Sequence, residues 1–172
     1  MEKTLYYTYL ETRLARFLLM KTETGLARVD TLGLEAVLQT SWFKRYFREA
    51  RLIKSDSIFD RDRQQLLEYF AGERSEFDLA LDDRGTPFQK EVWQALQAVP
   101  YGKSLTYGGL ADKLESSSKA AQAVGRALGQ NPLLVIVPCH RILSQDGKLN
   151  GYRGGLTLKK ALLDAEGIDY KW

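Results

Sequence analysis

The chain holds one cysteine and one histidine, and they are neighbours: Cys139 and His140, inside Pro138-Cys139-His140-Arg141-Ile142. A thiolate is a strong nucleophile and a thiol a poor one, so a cysteine beside a base is a candidate for covalent chemistry. A plainer reading fits the same residues. The apolar run Leu133-Leu134-Val135-Ile136-Val137 leads straight into them, and a buried cysteine at the end of a strand is common. The pair alone does not separate the two readings. Consecutive side chains point in different directions. Cys139 and His140 therefore need a tight turn or a bridging water to exchange a proton, and Pro138 suits such a turn.

One Cys and one His cannot make an ordinary structural zinc site, nor one Cys an internal disulfide. A reducing, cytoplasmic setting is expected. No apolar run reaches membrane-spanning length, and Met1-Glu2-Lys3-Thr4 opens no signal-peptide core. The 172 residues suit one domain or two small ones. The net charge of +3 is uneven, with 14 Lys/Arg against 15 Asp/Glu in residues 1–85. From Lys119 to Lys160 there are seven basic residues and one acid, Asp146. That stripe fits a polyanion partner or a solvated basic face, and charge alone does not choose.

The elements that must position the pair follow from periodicity and punctuation. Leu5–Tyr9 and Arg16–Thr22 read as strands, Ser41–Ala50 and Asp60–Ala71 as amphipathic helices, and Phe77–Leu81 as one more strand. Asp82-Asp83-Arg84-Gly85 is a polar, turn-forming boundary. It predicts domains at 1–85 and 86–172. Thr86 is an N-cap with Pro87 at the first helical position, and the helix Phe88–Val99 buries Phe88, Val92, Ala95, Leu96 and Val99. Thr106–Leu114 and Lys119–Gly129 are two short helical patterns joined by a tight turn, a helix-turn-helix candidate. The second is rich in small residues (Ala121, Ala123, Gly125), which suits close packing on a neighbouring helix or entry into a DNA groove. Gln122 and Arg126 share one face of it. Asn131-Pro132 ends that helix, Asp146-Gly147 is a hairpin-type turn, Asn150–Gly155 is a Gly-rich loop, and Leu156–Glu166 is the last helix, with Gly167 as its C-cap. The expected fold is an α/β N-terminal domain plus a mainly α C-terminal domain with a helix-turn-helix and an active-site turn.

These pieces, in order, carry a resemblance. Thr86-Pro87-Phe88-Gln89, Val92-Trp93, Tyr101-Gly102, Thr106-Tyr107-Gly108-Gly109-Leu110-Ala111, Asn131-Pro132, Val137-Pro138-Cys139-His140-Arg141-Ile142, Gly151-Tyr152-Arg153-Gly154-Gly155 and Glu166-Gly167 are spaced as in the O6-alkylguanine-DNA alkyltransferases. Residues 86–167 resemble that family of suicidal DNA-repair proteins. Residues 1–85 resemble its variable N-terminal domain only in size and α/β pattern. The resemblance implies Cys139 as alkyl acceptor, His140 as its proton acceptor, Glu166 as the group that orients the imidazole, and Asn131 as the residue shaping the nucleophile's turn. It implies that Tyr107 hydrogen-bonds a flipped guanine and that Tyr152, Val137 and Arg153 belong to the substrate pocket. Lys119, Ala121, Gln122, Ala123, Gly125, Arg126 and Arg141 become DNA-contacting candidates, with the helix in the minor groove. Gln122 stands where many relatives carry an arginine that fills the gap left by the flipped base. A less efficient flip is expected from it.

The chemistry stands on its own terms too. Attack on a saturated alkyl carbon expels guanine, which leaves more readily when its ring receives a proton or hydrogen bond. The thioether product has no carbonyl for water to attack, so the protein is expected to act once. No cofactor and no metal are expected. The expected partner is double-stranded DNA carrying O6-alkylguanine, and O4-alkylthymine with it, bound by a monomer. The alternative is a non-catalytic lesion sensor or DNA-binding module in which Cys139 is inert. A cysteine hydrolase would need an oxyanion hole, and no element here supplies one.

Overall fold

A computed structural model describes residues 3–115 and 121–172. The chain divides into two compact units, Met1–Arg84 and Gly85–Trp172.

In the first unit, β1 (Thr4–Glu11) and β2 (Arg16–Lys21) form an antiparallel hairpin. The Thr12 hydroxyl closes its turn by accepting from the amides of Leu14 and Ala15. β3 (Leu26–Asp30) pairs with β2, and β4 (Arg51–Lys54) runs parallel to β1, giving the order β3-β2-β1-β4. A parallel pair needs a crossover. Here α1 (Leu34–Leu38) and α2 (Ser41–Tyr46) supply it. They cover one face of the sheet through Val37, Phe43 and Phe47, packed on Leu5, Leu18 and Met20. On β2 the neighbouring Phe17 points to the other face and stacks on Phe70 of α3 (Asp60–Phe70), centroids 5.4 Å apart. With both faces covered, β2 is buried along its length rather than at alternate residues.

Two local expectations change, and β3 is a strand the sequence reading did not contain. It carries Arg28 and Asp30, charged residues at core positions. Two apart on a strand, they lie on one face and neutralise each other at 2.6 Å, so both are buried. The helix expected over Ser41–Ala50 ends at Tyr46, because Phe47 turns into the core and the chain then enters β4. Phe77–Leu81 is not a strand. It makes a single bridge, Leu81 to Leu26, beside Gly25, where a Cβ would lie 2.5 Å from the Ala80 carbonyl. Only glycine allows that approach.

The second unit is mainly helical. α4 (Pro87–Gln97) opens with a reciprocal cap: Thr86 Oγ1 accepts from the Gln89 amide at 3.2 Å, and Gln89 Oε1 accepts from the Thr86 amide at 2.9 Å. Buried Trp93 ties α4 to α6 (Ala121–Gly129), its indole donating to the Ala127 carbonyl at 2.9 Å. β5 (Leu105–Thr106) pairs in parallel with β6 (Ile142–Leu143), and Thr106 caps α5 (Tyr107–Ala111). The helical pattern read over Thr106–Leu114 thus forms only in its first part. The second helical pattern is described from Ala121 on. α7 (Leu156–Glu166) buries Leu158, Leu162 and Leu163 and ends at Gly167, whose φ of +69° is the left-handed C-cap conformation.

Candidate active site

The run Leu133–Val137 is not a strand. It folds into consecutive tight turns that deliver Cys139. The Ile136 amide donates to the Leu134 carbonyl at 2.8 Å around Val135, whose φ is +71°. A β-branched residue in that region is strained, and such strain persists only where its surroundings hold it. A second three-residue turn follows: the Cys139 amide donates to the Val137 carbonyl at 2.8 Å around Pro138, at φ −81° and ψ 61°. Cys139–Arg141 then form one 3-10 turn.

Asn131 fastens this structure from inside. Fully buried, it accepts the Leu133 amide at 2.9 Å and donates through Nδ2 to the Val137 carbonyl at 2.9 Å and to Cys139 Sγ at 3.2 Å. The apolar run therefore wraps around one amide side chain. Buried polar groups of this kind specify a conformation because each lost bond costs about 1–3 kcal/mol.

His140, the next residue, points away into the protein. Its Nε2 meets Glu166 Oε2 at 2.6 Å, with both side chains fully buried. Arg141 also turns inward. It bonds Glu166 through Nε (2.8 Å) and Nη2 (3.1 Å) and gives Nη1 to the Val99 carbonyl at 2.7 Å. Glu166 further accepts the Gly102 amide at 3.0 Å. Burial works to raise the Glu166 pKa, but the bonds from His140, Arg141 and Gly102 outweigh it and hold the carboxyl down at about 2. Burial pushes the His140 pKa down, against the pull of Glu166. A neutral imidazole beside a carboxylate carries its hydrogen on Nε2. Its lone pair is then on Nδ1, a buried atom with no hydrogen-bond partner among the described residues.

Burial pushes the Cys139 thiol up, while Asn131, Arg153 and Lys159 favour the thiolate. The resting sulfur is therefore a protected thiol whose surroundings lower the cost of ionisation. Sequence reading missed Lys159 at this site. Its only signal was that, of the adjacent Lys159 and Lys160, the first falls on the core-facing stripe of α7. It is 1% exposed, donates to the carbonyls of Ile142 (2.7 Å) and Asn150 (3.2 Å), and burial lowers its pKa to about 8. It joins the end of the cysteine turn to the start of the Gly-rich loop.

Cys139 opens on a cavity of about 310 Å³. Tyr107, Tyr152 and Arg153 line it together with Asn150 and Gly151 of the loop and Gly125, Leu128 and Gly129 of α6. Burial raises the Tyr107 pKa, and the sulfur adds to the effect, so its phenol stays a hydrogen-bond donor. Not every candidate is brought to this cavity. Val137 lies beneath it, 1% exposed, contributing its carbonyl to the turn. Arg141 departs most from expectation: it is 7% exposed, and its guanidinium is engaged with Glu166 and Val99. On α6, Val124, Ala127 and Leu128 face inward, while Ala121, Gln122 and Arg126 are exposed and Ala123 and Gly125 half-buried. A Cβ at Gly125 would meet nothing within 4 Å. Lys119 lies outside the described residues.

Known proteins match both units. The family model described as the DNA binding domain of 6-O-methylguanine DNA methyltransferase matches residues 87–168, and the one for that protein's ribonuclease-like domain matches residues 5–82. The methylated-DNA–protein-cysteine methyltransferase of Methanosarcina acetivorans is 39% identical over 165 residues, 95% of this chain and 99% of its own. The constitutive enzyme of that name from Bacillus subtilis is 39% identical over 169 residues, 96% and 98% of the two chains. The crystal structure of Mycobacterium tuberculosis OGT in complex with DNA superposes with a TM-score of 0.80 at 39% identity, covering 94% of this chain and 92% of that one. With both family models matched and full-length relatives this similar, the chain belongs to the 6-O-methylguanine DNA methyltransferase family.

Proposed function

We propose that this protein repairs DNA directly, by moving the alkyl group of O6-alkylguanine, and of O4-alkylthymine, irreversibly onto Cys139. The observation that carries the reading is the chain's single thiol at the wall of a base-sized cavity, backed by a buried imidazole–carboxylate pair. The relatives' names, methylated-DNA–protein-cysteine methyltransferases, describe the same reaction.

The residues take these parts. Glu166 keeps the His140 hydrogen on Nε2, and Nδ1 takes the Cys139 proton, directly or through one water. Asn131, Arg153 and Lys159 stabilise the thiolate. The sulfur attacks the alkyl carbon. The S–C bond forms as the C–O6 bond breaks, and the bonding pair leaves on O6. Tyr107 donates a hydrogen bond to the departing guanine, and a proton returned to the ring leaves neutral guanine. The thioether cannot be hydrolysed, so each protein acts once and needs no cofactor. Arg141 acts on Glu166 rather than on a DNA phosphate, a positioning part consistent with its burial.

The lesion is buried in a duplex, so the nucleotide must leave the stack, at a cost of a few kcal/mol. We assign the exposed face of α6, with Ala121, Gln122, Ala123, Gly125 and Arg126, to the minor groove, with Lys119 just before it. α5 and α6 would be the two helices of the helix-turn-helix. The protein would act as a cytoplasmic monomer in two domains, the first supporting the second.

Intact-protein and peptide mass spectrometry after incubation with a duplex bearing one O6-methylguanine tests the reading. One methyl group per protein, on Cys139 and absent from Cys139→Ser, supports it. Lesion binding without modification replaces it with a sensor.

A further inference from the structure

The first unit carries a cavity of about 730 Å³ that the reaction leaves unused. Its described lining residues all belong to that unit. They run from Lys44 to Ala50, the end of α2 and the turn after it, with Lys3 beside them. Lys3, Lys44, Arg45 and Arg48 are exposed, and Glu49 is the one acid among the described lining residues. The floor is aromatic: Lys3 Nζ lies 5.9 Å from the Phe47 ring centroid, and the Arg45 guanidinium 5.5 Å from that of Tyr46. Arg51 and Lys54 of the edge strand β4 are exposed as well, and the Arg51 amide bonds the Lys3 carbonyl at 2.7 Å. Among the described residues, Lys44, Arg45, Arg48, Arg51 and Lys54 make no ion pair with a carboxylate.

This unit as a whole is not basic. Residues 1–85 hold 15 acidic against 14 basic side chains, so its positive charge is gathered here and depleted elsewhere. Charges on an edge strand guard against strand pairing, which accounts for Arg51 and Lys54. That explanation does not reach Lys44, Arg45 and Arg48, which lie on a helix end and a turn. Unpaired like charges repel one another, and a polyanion relieves the repulsion. Clustered arginine and lysine form the kind of surface that follows a sugar–phosphate backbone.

We infer that the Lys3–Lys44–Arg45–Arg48 groove is a second, sequence-independent contact for a nucleic-acid phosphate backbone, separate from the cavity of Cys139. The inference rests on the reading of the protein as DNA-acting. Its role is to add affinity for undamaged duplex, which raises the time spent searching.

The test compares wild type with Lys44→Gln/Arg45→Gln/Arg48→Gln, three exposed changes, after equal melting temperatures are verified. Binding of undamaged duplex is measured over a salt series, and alkyl transfer is measured from free O6-benzylguanine, which needs no DNA. Each phosphate contact contributes about 0.9 to the slope of log K against log salt. The variant is expected to lower that slope by about 2–3, with transfer from the free base unchanged. An unchanged slope overturns the groove while leaving the function standing. A wild type that neither binds duplex nor becomes alkylated overturns both.

Discussion

Glu166 holds His140 at 2.6 Å across 26 positions of sequence, and the same carboxylate is gripped by Arg141, the residue after that histidine. One side chain on α7 thus fixes the ring, its tautomer and the turn beyond it. The arrangement leaves Nδ1 as the basic atom and places three charged or polarised groups where water does not reach.

Glu166→Gln should therefore damage both folding and chemistry. The neutral amide leaves Arg141 buried without its counter-charge, a loss of about 3–5 kcal/mol. It also ceases to favour the charged imidazole, and alkyl transfer should slow by about 10²-fold or more. Urea denaturation and single-turnover transfer measure the two. A variant as stable and as fast as wild type would refute this role.

The same pair predicts how stability depends on pH. His140 is held below its ordinary value of 6.5, and Glu166 is lowered from 4.5 to about 2. Both depressed values mean that the unfolded chain binds more protons, so stability falls as pH falls. The His140 share is lost on going below about pH 6.5, and the Glu166 share between about 4.5 and 2. Melting temperatures at pH 7.5, 5.5 and 4 should decrease in that order. A flat profile would contradict the burial of the pair.

Lys159→Met removes the buried cation that favours the thiolate while keeping a similar apolar stem. The Cys139 titration should move upward, read as the pH dependence of iodoacetamide labelling. Alkyl transfer near neutral pH should slow, and Lys159→Arg should recover part of it if charge is what matters. Labelling profiles that coincide for wild type and Lys159→Met would remove Lys159 from the site.

Alkylation itself should weaken the fold. Cys139 is 6% exposed and sits in a turn closed by Asn131, so an added methyl group must displace neighbours. Overpacking costs about 1–3 kcal/mol, which for a chain of this length lowers Tm by roughly 2–10 °C. Scanning calorimetry of the protein before and after stoichiometric reaction decides it. Equal transitions would mean that the turn has room for the product.

Gln122 is exposed on α6, where an arginine is expected to serve the flipped-out nucleotide better. Gln122→Arg should speed repair of a lesion in duplex DNA and leave transfer from free O6-benzylguanine unchanged. Equal acceleration on both substrates would point to the pocket instead.

By itself the sequence determined the local events. Thr86, Pro87 and Gln89 define a helix start through bonds within four residues, and Gly167 ends α7 because its conformation excludes side chains. The Pro138-Cys139-His140-Arg141 string marked the chemistry, since a unique thiol beside a unique imidazole needs no tertiary information to be noticed. What it left open depended on distant partners. Arg28 and Asp30 look like surface residues until each supplies the other's counter-charge on β3. Leu133–Val137 reads as a strand because apolar runs usually pair with neighbours, yet these residues close around Asn131 instead. The resemblance makes Arg141 a DNA-contact candidate, and Lys159 reads only as one charge in a basic stripe. Only the fold brings Glu166 to the first and the carbonyls of Ile142 and Asn150 to the second. Burial decides the outcome, because a charge removed from water must find a partner, and that partner is set by packing rather than by sequence spacing.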